Sequence, residues 1–220
     1  MSLRGELVAA GRTRWLDVGC GTEFSPGFEY LDIFPEGFAG EEIRDRYHRV
    51  DIANLTARDA AELGRFDLVR MQHTLEHFGF EDGLRVLENC AELLAPDGIV
   101  LITVPDLLTH IRLYLKNEYD RLPGFRDWAR SRIPADAPPS AYFSVFTHSL
   151  AYEPHKWCYD FAGLAYQITR TGRFGEITRL RVSDPLAEVP FTHNRPDEDL
   201  CVYARLGAGD DRPGPPSRGR

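Results

Sequence analysis

The sequence predicts an α/β fold with a mostly parallel seven-stranded sheet and an antiparallel strand near its C-terminal edge. Two observations predict it. Strand-like segments alternate with helical segments through the first half of the chain, and residues 99–104 form an unbroken apolar run typical of a central parallel strand. The chain has 220 residues, 43% of them hydrophobic, so it can bury a core of its own. We therefore expect a single domain over residues 1–206.

The first half supplies five of the predicted strands. Apolar, aromatic and branched residues mark them at residues 14–18, 28–33, 47–51, 66–71 and 99–104. A short helix is predicted over residues 56–63, with Thr56 as its cap. An amphipathic helix precedes the fifth strand, because apolar residues recur there at spacings of three, four and three. Its apolar face consists of Leu84, Leu87, Ala91 and Leu94.

The second half is less regular. Residues 105–156 are rich in proline and aromatic residues and too long for a plain connector, so we expect a lid or a substrate-binding insertion. A helix is predicted from its cap Asp160 to Gly172, and residues 177–182 and 200–206 form the last two strands, an antiparallel pair. The final residues, 207–220, hold four glycines and three prolines and predict a disordered tail.

Charge and composition restrict the possible partners. With 34 acidic and 26 basic residues the net charge is −8, which disfavours nucleic acid as a partner. No apolar run approaches the ~18 residues that a membrane span needs, and the N-terminus does not resemble a signal peptide. The four cysteines form no C-x-x-C pair, which indicates a reducing compartment. We therefore expect a cytoplasmic protein without a membrane partner.

The candidate binding residues follow the ends of the first three strands. Gly19 and Gly21 follow the first strand, and such a turn lets a ligand approach the backbone near the carboxyl edge of the sheet. Asp32 ends the second strand, where a carboxylate can accept from both hydroxyls of a ribose. Asp51 ends the third and could accept from an adenine amino group. A lone G-x-G is as often only a structural turn, but the ordered set with Asp17 indicates a nucleotide-like ligand.

Three segments resemble the class I S-adenosylmethionine-dependent methyltransferases. They are L-D-V-G-C-G-T at 16–22, F-D-L-V-R-M-Q-H-T-L-E-H-F at 66–78 and L-A-P-D-G-I-V-L-I-T-V-P-D at 94–106. Within that superfamily the chain is most similar to a bacterial group with a short P-G-F segment between the first two strands and an H-K-W-x-Y-D segment, here residues 155–160. The resemblance covers roughly residues 14–206 and implies a Rossmann-like methyltransferase fold that binds S-adenosylmethionine.

The resemblance also implies the cofactor contacts. The glycines and Cys20 would lie against the methionine part, with Asp17 orienting the turn or only capping local amides. Asp32 and Ile33 would hold the ribose, Asp51 and Ile52 the adenine, and Gln72 and His73 would line the methionine side. The chain departs from the family at Glu23, where a third glycine is common. Only eight residues separate Gly21 from Tyr30, so we expect a turn in place of the usual helix.

The resemblance is poor for the methyl acceptor. We expect a small molecule and an oxygen acceptor atom, in a sugar or a secondary metabolite, and we predict no oligomeric state. A base would assist a hydroxyl, so His77 and then His148 are the candidate catalytic residues, although His77 could equally hold only the loop. Aromatic residues could stack on the acceptor or pack the lid. They are Tyr142, Phe143, Phe146, Tyr152, Trp157, Tyr159 and Phe161.

Other functions remain as alternatives. Residues 73–77 read H-T-L-E-H, which matches a zinc-hydrolase signature, but that motif must lie within a helix and needs a third ligand. We assign no residue to a metal ion. A binding domain that keeps the cofactor but not the chemistry is a second alternative. A nicotinamide-dependent dehydrogenase is disfavoured because Phe24 stands where its third small residue belongs.

Overall fold

A computed structural model describes residues 3–22, 24–34, 41–148, 154–181 and 197–207, in which seven strands form one sheet. The strand order is β3-β2-β1-β4-β5-β7-β6. The strands are β1 Trp15–Val18, β2 Phe28–Asp32, β3 Tyr47–Arg49, β4 Phe66–Gln72, β5 Leu94–Pro105, β6 Phe174–Leu180 and β7 Asp199–Leu206. The first five strands pair in parallel, and β7 runs antiparallel to both β5 and β6. The predicted fold class and the antiparallel pair are confirmed.

Seven α-helices surround the sheet in the part of the chain that the structure describes. They are α1 Leu3–Ala9, α2 Ala57–Leu63, α3 Phe80–Leu93, α4 Leu107–Lys116, α5 Pro123–Arg130, α6 Pro139–His148 and α7 Phe161–Arg170. Short 3-10 helices cover Glu41–Arg46, Ile52–Asn54, Leu75–His77 and Tyr119–Arg121. None of the described helices has the length and apolar character needed to cross a bilayer.

The predicted helix starts are confirmed in detail. Thr56 and Asp59 form a reciprocal capping box at α2, in which the Thr56 hydroxyl accepts from the Asp59 amide at 3.1 Å. The Asp160 carboxylate caps α7 by accepting from the Gly163 amide at 2.7 Å. The end of α3 differs from the prediction, because the helix stops at Leu93 and the chain enters β5 directly.

Both faces of the sheet are buried, as parallel strands require. One face packs against α2, α3 and α7 through apolar side chains such as Leu87 and Leu164. The other face packs against α1 through Leu3 and Leu7. The sheet is thereby fixed from both sides, and its carboxyl edge can serve as a firm base for a site.

The described residues of the predicted insertion contain three α-helices, α4 to α6. They share an apolar cluster of their own that includes Leu113, Phe125, Ala129 and Val145. This cluster follows β5 directly and lies at the carboxyl edge of the sheet. Between β1 and β2 the described residues form turns and no helix, as expected. The predicted tail lies outside the described residues, apart from residue 207.

Candidate active site

A cavity of about 940 Å³ lies at the carboxyl ends of β1, β2, β4 and β5. Residues at the strand ends form one side, and residues of α5, α6 and the segment before α7 form the other. The carboxyl ends of neighbouring parallel strands meet at one edge, which explains why the predicted set converges. The cavity is lined by all ten residues expected at the cofactor: Asp17, Gly19, Cys20, Gly21, Asp32, Ile33, Asp51, Ile52, Gln72 and His73.

The turn after β1 needs glycine at two positions for different reasons. Gly19 and Gly21 both have positive φ, +70° and +53°. A Cβ on Gly19 would also collide with the side chain of Thr74, whose hydroxyl lies 3.2 Å from the Val18 carbonyl oxygen. A Cβ on Gly21 would meet no described atom within 4 Å. The first glycine therefore permits close packing, and the second leaves open space at the cavity.

Asp32 joins the first two strand ends. Its Oδ2 accepts from the Gly21 amide at 2.9 Å, and its Oδ1 accepts from the Ile33 amide at 2.7 Å. An ionised carboxylate can accept about four hydrogen bonds. The buried Asp32 side chain therefore holds the turn and keeps lone pairs for a ligand in the cavity.

Asp17 forms a buried ion pair that the sequence analysis missed. Arg70, from the middle of β4, donates through Nε to Asp17 Oδ1 at 3.0 Å and through Nη2 to Oδ2. The same Nη2 donates to Ser25 Oγ at 3.1 Å, and the guanidinium stacks over the Phe28 ring. Asp17 thus acts on the turn through Arg70. A charged residue inside the apolar strand at 66–71 was the available signal for this pair.

Asp51 lies two residues beyond β3, which is shorter than predicted. Its carboxylate caps the short helix at Ile52–Asn54 and accepts from the Ala53 amide at 2.9 Å and from Asn54 Nδ2 at 2.7 Å. Asp51 and Ile52 both line the cavity. The cap fixes the Asp51 carboxylate at the end of the cavity next to β3, which β2 and β1 separate from β4.

His73 lies between two buried carboxylates. Its Nε2 lies 3.1 Å from Asp199 Oδ2, and its Nδ1 lies 3.3 Å from Glu76 Oε1. Burial alone would lower the pKa of His73, but the contacts with Asp199 and Glu76 outweigh it and raise the pKa to about 10. His73 is therefore a fixed cation near neutral pH, which removes it as a proton acceptor.

Glu76 anchors the H-K-W segment to the end of β4. Its backbone oxygen accepts from the amides of Lys156 and Trp157 at 2.8 and 3.1 Å. Burial alone would raise the pKa of its side chain, but His73, His77 and His155 outweigh burial and lower that pKa below its usual value. The carboxylate therefore stays ionised. The ring of His155 packs edge-on against that of His77, with centroids 5.2 Å apart, and burial lowers the pKa of His155 to about 4.

The two candidate catalytic histidines differ in position. His77 lines the cavity. His148 does not: its side chain is exposed at the end of α6, with Nδ1 3.0 Å from the Ser144 carbonyl oxygen. The structure therefore does not bring His148 to the site, because the preceding turn of its own helix holds the ring.

The side of the cavity that α5 and α6 form is apolar. Phe125 and Trp128 of α5 and Val145 and Phe146 of α6 line it. Among the described aromatic residues singled out above, Phe146 is the one that lines the cavity. Tyr152 lies outside the described residues. The remaining aromatic residues of that set do not line the cavity: Tyr142, Phe143, Trp157, Tyr159 and Phe161.

The zinc-hydrolase alternative is not supported by the local backbone. His73 has φ +51°, and helical structure in this segment is limited to the 3-10 turn at Leu75–His77. The motif requires both histidines on one face of an α-helix. Here the ring of His73 faces Asp199 instead.

Comparison with known proteins identifies the family. A family model described as a methyltransferase domain matches residues 5–137, more than half of the chain. No curated protein sequence matches the chain. The structure is similar to that of an S-adenosylmethionine-dependent methyltransferase from Clostridium acetobutylicum, at 13% identity and a TM-score of 0.53, with 94% of this chain and 89% of that chain covered.

Two further solved structures share the fold. Magnesium protoporphyrin IX methyltransferase from Synechocystis PCC 6803, with bound SAH, is 14% identical at a TM-score of 0.51, with 92% of this chain and 80% of that chain covered. The methyltransferase SibL is 18% identical at a TM-score of 0.52, with 90% of this chain but only 52% of SibL covered. Fold, motif positions and family model agree: the chain belongs to the methyltransferase domain family and has the class I methyltransferase fold.

Proposed function

We propose that this protein transfers the methyl group of S-adenosylmethionine to an oxygen atom of a small molecule, in a sugar or a secondary metabolite. One observation carries the cofactor part: the ten residues expected from the motifs all line one cavity. At about 940 Å³ the cavity lies at the upper end of the ~300–1,000 Å³ range of small-molecule sites, which supports room for both a nucleoside and an acceptor.

The cofactor side fits a nucleoside. The Asp32 carboxyl group is held in place by the backbone amides of Gly21 and Ile33, and its remaining lone pairs can accept from ribose hydroxyls. We assign Asp51 and Ile52, which line the cavity, to the adenine edge, and the turn at Gly19 and Gly21 to close backbone contact with the methionine part. This order along the sheet edge, from β3 to β1, supports one extended ligand that lies across the strand ends.

The sulfonium of the cofactor supplies an activated methyl group, and its sulfur leaves as a neutral thioether. The protein's contribution is therefore mainly alignment of an acceptor. His73 lies between the carboxylates of Glu76 and Asp199, so these three side chains together carry a net negative charge. This charge favours a positively charged ligand nearby. The apolar wall of Phe125, Trp128 and Phe146 gives an acceptor a flat surface to lie against.

On the acceptor side we assign His77. It lines the cavity beside the apolar wall, and its Nδ1 has no hydrogen-bond partner among the described residues. This favours action on the acceptor over the alternative that the ring only holds the loop. We expect His77 to promote loss of the acceptor's hydroxyl proton as the new C–O bond forms.

The proposal is tested in two steps. Calorimetry with SAH measures cofactor binding, and a panel of polyhydroxylated and phenolic compounds with methyl-labelled cofactor measures transfer. Label in an ether product supports the proposal. If the protein binds SAH tightly but transfers label to none of these compounds, nor to added nitrogen and sulfur acceptors, the result favours a cofactor-binding domain without catalysis.

A further inference from the structure

Three possible metal ligands meet in the cavity wall. Glu76 and His77 come from the 3-10 turn after β4, and His155 comes from the segment before α7. One ligand atom from each lies within 4.8 Å of the other two. Two imidazoles and one carboxylate form the set that binds divalent transition metals such as zinc and iron, with further positions left for water or substrate.

A second observation points to an ion at this place. Glu76 is 1% exposed, and its Oε1 has the ion pair with His73 at 3.3 Å, but its buried Oε2 lacks a hydrogen-bond partner among the described residues. The same holds for the buried Nδ1 of His77. Buried polar atoms are almost always satisfied, so each exception needs an explanation. One ion bound to these atoms would satisfy both residues together.

The surroundings hold the three side chains in place. The Glu76 carbonyl accepts from the amides of Lys156 and Trp157, which fixes the chain next to His155 against the β4 end. His73, itself fixed by Asp199, lies 3.3 Å from Glu76 Oε1. Such outer contacts are typical of groups that orient metal ligands.

The geometry needs a moderate adjustment. Ligands that bind one tetrahedral ion at ~2.1 Å lie ~3.4 Å apart. The present separations of at most 4.8 Å therefore require a contraction of up to about 1.4 Å. Rotations of the partly exposed rings of His77 and His155 can supply this movement.

We propose that Glu76, His77 and His155 bind a divalent transition-metal ion that receives the acceptor hydroxyl in the cavity. This rests on the proposed methyl transfer. The ion makes the hydroxyl more acidic and its proton passes to water. The oxygen then forms a C–O bond as the S–C bond breaks, and sulfur keeps the electron pair. His77 thus acts through the ion and is not itself the proton acceptor. The site differs from the zinc-hydrolase motif, because His155 takes the place of His73.

The test uses the full chain stripped of metal by a chelator. Co²⁺ is titrated in and followed by calorimetry and by its visible absorption, which reports the ligand set directly. We expect one ion per chain. The variants E76Q, H77A and H155A should each weaken Co²⁺ binding at least tenfold. H148A is the matched control, because it removes an exposed histidine outside the cluster and should leave Co²⁺ affinity unchanged.

SAH affinity and thermal melting are measured on the same samples. If the variants bind SAH as tightly as the parent protein does, they are folded. The test of the metal site is then separate from the test of the proposed function. Absence of Co²⁺ binding by the parent protein overturns the metal site. So does equal Co²⁺ binding by the parent and all three variants, which would indicate an adventitious ion only. Full transfer activity of the stripped protein overturns the ion's role with the acceptor.

Discussion

The two sides of the cavity are built in different ways. On the cofactor side, main-chain amides and strand-end carboxylates hold one another, as in the bonds from Gly21 and Ile33 to Asp32. On the side that α5 and α6 form, single side chains such as Trp128 and Phe146 project from helices that pack in a separate apolar cluster. The first side is fixed by the sheet, whereas the second depends on how α5 and α6 pack.

This difference separates two kinds of change. Substitutions in the strand-end side should affect folding and cofactor affinity together, because the same hydrogen bonds serve both. Substitutions on the acceptor side should affect transfer and leave cofactor affinity intact.

The largest effect on the free energy of unfolding is expected from Arg70→Met, which removes a buried side chain beneath the strand-end side of the cavity. It leaves the buried Asp17 carboxylate without its bidentate partner, and removal of one member of a buried pair costs ~3–5 kcal/mol of unfolding free energy. Urea unfolding measures it. The double variant Arg70→Met with Asp17→Asn is the control and should recover part of the loss. A cost below ~1 kcal/mol for the single variant would show that the pair is not structural.

Gly19→Ala and Gly21→Ala form a matched pair. Both strain a left-handed residue, at ~1–3 kcal/mol, but only the Gly19 variant also displaces Thr74. We expect the larger loss of melting temperature and SAH affinity at Gly19. Equal losses at both positions would refute the role assigned to Thr74 in packing the turn.

Asp32→Ala should weaken SAH binding by ~1–3 kcal/mol, since it removes the hydrogen bonds expected to the ribose. Calorimetry measures the change, and Asp51→Ala offers a comparison at the adenine end. SAH affinity that stays unchanged in Asp32→Ala would remove the ribose assignment.

The smallest effect on cofactor affinity is expected from His77→Ala. SAH affinity should change less than about twofold, because the ring lies on the acceptor side, while transfer to an active acceptor should fall by ~10²-fold or more. Calorimetry and labelled-methyl transfer measure the two quantities. A parallel loss of both would make His77 a structural residue and would remove the separation between the two sides.

The strand-end side could be predicted from the sequence because its signals are local. Each candidate cofactor residue lies within three positions of the end of its own strand, and parallel pairing then brings Gly19, Asp32 and Asp51 to one edge. The boundaries are predicted less accurately. β3 ends two residues earlier than its pattern predicts, and β5 begins at Leu94, which the local pattern assigns to the preceding helix.

The missed residues depend on contacts that are distant in sequence. The pair between Asp17 and Arg70 follows from the register of β1 against β4, in which these two residues are direct partners. The contact between His73 and Asp199 joins residues 126 positions apart. His148 was misplaced for a related reason: its sequence position near the cavity says nothing about which way the end of α6 directs its ring.

Titration of the wild-type protein with SAH, followed by calorimetry and by thermal shift, tests the central claim most directly. The account predicts one SAH bound per chain, with heat released, a raised melting temperature, and a clear loss of both signals in Asp32→Ala. A wild-type protein that gives neither heat nor thermal shift with SAH or S-adenosylmethionine would contradict the assignment of the cavity to the methyl donor.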